Sequence, residues 1–224
     1  MTFPFPIMAP ATGAAITYTD STAITATGTV FTFTARALGT AAADRIILVG
    51  TYGERSSAGA RSVSTLTANG TSLALVKDWG GASANTMEVW GAVVAAGATG
   101  DVVVTFTGGD MVSCGIMIAA ISGANTTVYA AEAIATGDPL TKGINVTAGG
   151  VLFAYAVNAN GGGADAFTWT NATERFDAVI QTNLIYHSGA TDNYASAQTP
   201  ITVTANPDLA MVEGGLILVS YQAA

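Results

Sequence analysis

His187 is the only histidine of the chain, and it stands beside Ser188 with Asp192 five residues on. A hydroxyl, an imidazole and a carboxylate make an acyl-transfer triad only if they converge through hydrogen bonds. Adjacent residues of a strand point to opposite faces. Residues 184–189 therefore predict a partly exposed histidine at a strand end, and no catalysis. Cys114, the only cysteine, lies among Val112, Ile116 and Ile118. A nucleophilic thiolate needs a neighbouring base or cation, and apolar surroundings act the other way, so the residue reads as core. A single cysteine also forbids an intrachain disulfide, which fits production in a reducing cytoplasm.

Metal ligation has equally little to draw on: one His, one Cys, no Asp-x-Asp-x-Asp-Gly run and no His-x-x-x-His pair. Asp101, Asp110, Asp138, Asp165, Asp192 and Asp208 could pair across loop ends around Ca²⁺, or be ordinary solvated turn residues; no metal and no cofactor is expected. Sugar hydrolysis would need two carboxylates about 5 to 9.5 Å apart, and the contexts of Glu88, Glu132, Glu174 and Glu213 give no reason to pair. Gly161, Gly162 and Gly163 have the composition of a phosphate cradle, but no lysine follows them and no helix start lies behind them. Trp79 and Trp169 are candidate glycan contacts, because an indole face stacks on the C–H surface of a pyranose. The competing reading places them in the core or against another subunit. The triplets beginning at Asn69, Asn125, Asn145 and Asn171 match the glycosylation pattern, yet outside a secretory route they are turn residues ahead of strand threonines.

The elements that carry these residues read as β throughout. Phe31 and Phe33 alternate with Thr32 and Thr34, the pattern of a half-buried strand. Residues 45–52 and 101–107 are short, rich in β-branched and apolar residues, and bounded by glycine. Asn69-Gly70 sits between two strand-like runs, residues 63–68 and 71–77, and predicts a hairpin because both residues tolerate positive φ. In residues 86–94, Met87, Val89, Gly91 and Val93 oppose Glu88, Trp90 and Ala92, which turns Trp90 to a second sheet or to a partner. The second half repeats this order. Residues 150–157 answer 45–52, residues 200–204 answer 102–106, residues 213–221 answer 113–121, and residues 167–176 predict another hairpin around Asn171-Ala172. An offset of about 100 residues is too long for a solenoid unit and suits two interleaved halves of one sandwich. Residues 1–28, with Pro4, Pro6, Pro10 and an Ala/Thr tract, read as an extended arm.

Composition narrows the function classes. Charged residues are 10% of the 224, against roughly 25% in ordinary soluble domains, whereas Ala, Thr and Gly number 43, 32 and 26. A surface so poor in charge has little to oppose association, so cover by other subunits is expected. The net charge of −8 removes the attraction that supplies non-specific nucleic-acid affinity, and it disfavours anionic membranes. The first residues lack a basic region followed by an apolar one, and no run of about 20 apolar residues occurs, so neither a secretory signal nor a membrane span is expected.

The series at residues 44–50, 87–93, 100–107, 114–123 and 168–177 resembles a jelly-roll-like β-sandwich family common among tailed-phage virion proteins and bacterial extracellular proteins. The resemblance covers residues 29–222 and carries no catalytic signature, so it speaks to fold more than to role. It implies an all-β, antiparallel β-sandwich, with an N-terminal arm over residues 1–28 and one sandwich domain, built from two similar strand groups, over 29–224. It also implies a non-enzymatic structural protein made in the host cytoplasm and found in the virion, a decoration or cement protein of the head. The expected partners are further copies of the chain, as a homotrimer, and a major capsid protein. In that role Phe3, Phe5, Ile7 and Met8 of the arm would contact the adjoining subunit. The alternative is a tail or fibre domain that binds host carbohydrate through Trp79 and Trp169.

Overall fold

A computed structural model describes residues 13–55, 59–79, 85–159, 166–182 and 184–224. In the first half of the chain these form β1 (Ala15–Gly28), β2 (Val30–Ala37), β3 (Ile46–Arg55), β4 (Ser62–Ala68), β5 (Thr71–Ser72), β6 (Ala74–Asp78), β7 (Thr86–Val93), β8 (Thr99–Thr107) and β9 (Met111–Ser122). The second half contributes β10 (Ala130–Ile134), β11 (Leu140–Val146), β12 (Gly150–Ala159), β13 (Phe167–Thr170), β14 (Glu174–Gln181), β15 (Ile185–Tyr194), β16 (Gln198–Pro207) and β17 (Glu213–Tyr221). The protein is all-β.

Each half builds a large and a small antiparallel sheet. The first half orders its strands β1-β9-β3-β7-β6 and β2-β8-β4-β5, and the second β10-β17-β12-β15-β14 and β11-β16-β13. Read in chain order, the strands pass back and forth between the two sheets of their half, the organisation of a jelly roll. The halves share one topology, with β10 standing for β1, β12 for β3, β14 for β6 and β17 for β9. No sheet mixes strands of the two halves, so the interleaving expected from the sequence is replaced by stacking.

Four layers result. Phe31, Phe33, Leu66, Val102, Val104 and Phe106 of the first small sheet pack on Ile47, Val49, Ile116 and Ile118 of the large one. Leu140, Ile144, Phe167 and Val203 do the same against Leu152, Ala154, Leu216 and Leu218 in the second half. The opposite faces of the two large sheets meet each other, joining Leu48, Tyr52, Val89 and Met117 to Phe153, Tyr155, Val157, Ile217 and Val219 in one cluster. Both faces of the large sheets are therefore dry, which explains why β3, β12 and β17 are apolar at nearly every position and alternate so little. In the stack β1 lies against β14 and β6 against β10. The edge strands thus exchange places, as if the halves were related by a two-fold axis along the strands.

Glycine makes this seam close. A Cβ built on Gly50 would stand 2.8 Å from the Tyr155 ring, and one on Gly115 would stand 2.6 Å from Ile180. Added at Gly189 it would run into the Met117 side chain, and at Gly215 it would stand 2.6 Å from Trp79. In every case the intruding side chain belongs to the other half, so part of the high glycine content supplies holes for its bulky residues.

Three expectations need correction. Residues 15–28 do not belong to a weakly bonded arm: β1 is an edge strand paired with β9 from Ala15↔Ser122 to Gly28↔Met111. Ala14 and Ile16 are core, because β1 caps an apolar seam that would otherwise open at its edge. The Asn69-Gly70 turn exists, with φ of 48° and 73°, but β5 pairs with β4 at only two positions before the chain crosses to pair β6 with β7. The second hairpin does not form. Asn171 has the turn conformation, φ 60°, yet β13 pairs with β16 and β14 with β15, in different sheets.

Gly70→Val places a β-branched residue in the left-handed region and should lower stability by about 1–2 kcal/mol. Denaturant titration would show this as a lower midpoint at unchanged slope, and an unmoved midpoint would mean that the turn readily adopts another form.

Candidate functional site

His187 is fully buried, contrary to the exposed strand end expected from the sequence. It lies on the seam face of β15, within 3.3 Å of a Cβ built on Gly115. The position is central because β15 pairs with β12 on one side and β14 on the other. Its Nδ1 is 3.0 Å from the Tyr155 hydroxyl, while Nε2 is buried with no hydrogen-bond partner. Burial pushes the imidazole down to about 3, so the ring is neutral near neutral pH.

Ser188 points to the opposite face, as strand geometry requires. There it donates to the Phe176 carbonyl at 2.9 Å and accepts from Trp169 Nε1 at 2.8 Å. Asp192 accepts from the Thr173 amide and hydroxyl at 2.9 and 3.0 Å. The three groups do not converge. Cys114 is buried beside Thr51 Oγ1 at 3.5 Å, and burial raises the thiol to about 12. Glu88, buried as well, accepts from the Val63 amide, the Thr86 hydroxyl and Trp90 Nε1 at 2.9, 2.8 and 2.7 Å. It ties the small sheet to β7, and Trp90 faces inward into the first-half core.

A second polar group lies at the end of the seam where β3 and β12 end and β7 and β17 begin. Tyr52 and Glu54 share a face of β3, and Ser113 on β9 is directly across from Glu54. Asn85 precedes β7, and Glu213 opens β17 from the other half. Tyr52 Oη, Glu54 Oε2 and Ser113 Oγ are buried without a hydrogen-bond partner. Burial and then Glu213 raise the Glu54 carboxyl above its ordinary range, and the Ser113 hydroxyl offsets part of the rise. Burial, Glu213 and Glu54 also push the Tyr52 phenol well up, against a smaller opposing effect of Asn85. Glu54 of the first half thus feels the charge of Glu213 of the second. Glu213 was among the glutamates weighed from the sequence. Glu54 was not, because only the stacking of the halves brings it near Glu213.

The remaining sequence candidates disperse. Trp79 is buried, its ring against Gly215 across the seam, so its stacking face is already used. Trp169 is half-buried against the second-half core and bonded to Ser188. Asp101 accepts from the Ala35 amide at 2.9 Å, closing a turn as Asp192 does. Phe3, Phe5, Ile7, Met8, Asp165 and Gly161 to Gly163 lie outside the described residues. Among the described residues no three His, Cys, Asp or Glu side chains gather as a metal group. At the opposite end a groove of about 370 Å³ is lined by Thr17, Thr40, Arg45 and Ser122. The Arg45 guanidinium there donates to the carbonyls of Gly39, Val94 and Ala96, each at 2.8 Å, holding two loops together.

The fold and site define a jelly-roll-like β-sandwich protein of two stacked halves with a polar cluster at one end of their seam. Comparison of the chain with protein-family models, curated proteins and solved structures returns no match.

Proposed function

We propose that this chain is a non-enzymatic structural protein of a virion, a decoration or cement subunit that adds to the head of a tailed phage. The observation that carries this reading is the polarity of the body. Ala14 donates to the Gly149 carbonyl at 2.8 Å and Ala224 to that of Gly123 at 3.0 Å, and Ala15 pairs with Ser122, so Ala14 and Ala224 lie at the same end of the body. Phe3, Phe5, Ile7 and Met8 precede Ala14 in sequence and would attach the body to a capsid. Docking each arm residue costs about 1–2 kcal/mol of ordering, reduced where proline already fixes φ. Each fully buried apolar side chain returns about 1.5–3 kcal/mol.

Further support comes from the groups most capable of chemistry, since Cys114, Ser188 and Glu88 are all engaged in packing. The surface carries few charges, and Leu75 on β6 and Val179 on β14, at equivalent open edges, are both exposed. Such edges suit association with further copies, and a trimer matches the three-fold positions of a capsid lattice. The partners are other copies and a major capsid protein.

Deleting residues 1–10 should abolish binding to particles while leaving the melting temperature of the body unchanged. Undiminished binding would refute the arm's role, and a copy number too low to cover the head would refute cementing.

A further inference from the structure

We propose that the groove walled by Arg45, where β3 begins and β9 ends, is a binding site for a small carboxylate. This goes beyond the structural role above and does not depend on it.

Arg45 is a cation without an anion. Its side chain is buried, with 1% exposure, and the carbonyls of Gly39, Val94 and Ala96 take three of its N–H groups, each at 2.8 Å. A guanidinium carries five, so two are left over. Among the described residues no carboxylate forms an ion pair with it. Arginine is almost never fully buried unless its charge is paired, and neutral carbonyls satisfy hydrogen bonds without cancelling the charge. Asp44, next in sequence, does not supply the missing anion, because its carboxylate accepts from the Gly123 amide at 3.0 Å.

The groove gives such an anion a place. Its volume of about 370 Å³ falls in the range of small-molecule sites. Gly39, whose carbonyl holds Arg45 Nη1, is part of its wall, which sets that end of the guanidinium beside the space. Thr17, Thr40 and Ser122 line it with hydroxyls that bond no other group among the described residues. No acidic side chain is in the lining.

These walls decide the ligand. A guanidinium grips a planar carboxylate through paired N–H donors, and free hydroxyls donate to its oxygens. Ala42, Ala120 and Ile121 leave an apolar surface for a short hydrocarbon body. With one cation at the site and a net charge of −8 on the chain, a monoanion is favoured over sulfate or phosphate, whose further charge the rest of the protein repels.

The test is thermal unfolding of the full chain at neutral pH and fixed ionic strength in chloride, in isobutyrate and in its neutral isostere isobutyramide. The wild type is compared with Ser122→Asp and Thr17→Trp. Both positions are exposed, so in chloride the variants should melt within about 2 °C of the wild type. Isobutyrate at about ten times its dissociation constant should raise the wild-type midpoint by roughly 3–6 °C, and isobutyramide should raise it less. The first variant repels the carboxylate and the second fills the groove, so both should lose most of the gain. Saturation transfer from the protein to the isobutyrate methyl protons should be clear for the wild type, weak for both variants, and largely retained in equimolar sulfate. Equal gains from isobutyrate and isobutyramide, a gain undiminished in both variants, or complete displacement by equimolar sulfate would overturn the proposal.

Discussion

Tyr155→Ala should lower stability by about 3–5 kcal/mol, the cost of emptying a large aromatic site in a close-packed core. A further penalty arises because His187 Nδ1 loses its partner. Against a total of about 5–15 kcal/mol this is a large fraction, and for a chain of this length it corresponds to a drop on the order of 10 °C. Gly50→Val attacks the same contact from the other half by forcing a Cβ into the Tyr155 ring at 2.8 Å, costing about 1–3 kcal/mol. The double variant Gly50→Val/Tyr155→Ala should lose less than the sum, because the valine at 50 occupies space that the ring has vacated. The transition should remain single, since the seam is one continuous apolar cluster. If calorimetry resolves two transitions, or if the variants are strictly additive, the seam is not the core that holds the halves together.

The second large effect concerns acid. His187 stands at about 3 in the folded protein against an ordinary 6.5. Between these values the unfolded chain takes up a proton that the folded one refuses, so stability is present above 6.5 and drains away as pH falls toward about 3. At about 1.36 kcal/mol per unit, the loss is on the order of 4 kcal/mol, enough to bring the midpoint of acid unfolding into this window. Glu54 has the opposite sign: its raised folded value makes it a source of stability at low pH, lost as pH rises through that value. His187→Asn keeps a side-chain acceptor near the Tyr155 hydroxyl but cannot titrate. It should be less stable than the wild type near neutrality and show a visibly shallower fall of unfolding free energy with acid. An unchanged slope would mean that His187 is not the group that titrates.

The strands were legible because local physics writes them locally. Phe31 and Phe33 alternate with threonine since one face of β2 meets the core and the other meets solvent, and Asn69-Gly70 names its turn since few residue pairs accept positive φ twice. Asn171 shows where that logic stops. It takes the same conformation as Asn69, but a turn cannot specify which sheet the next strand joins; that depends on whether β14 finds β15 or β13, a choice between distant partners. His187 fails for a related reason. A lone histidine beside serine reads as a strand end when only neighbours are seen, and its burial follows from Gly115 arriving on a strand of the other half.

What the sequence by itself determined is the class of structure: an all-β chain, poor in charge, repeating one strand order twice, with its cysteine in an apolar run and no local motif for catalysis. Only the tertiary structure decided that the halves stack through their large sheets and that glycines at 50, 115, 189 and 215 are sockets. A period of two says that a side chain faces one side of a sheet or the other, and where both sides are apolar it cannot say which body lies on which side. That is settled by long-range packing, where shape and volume are matched between residues far apart in the chain.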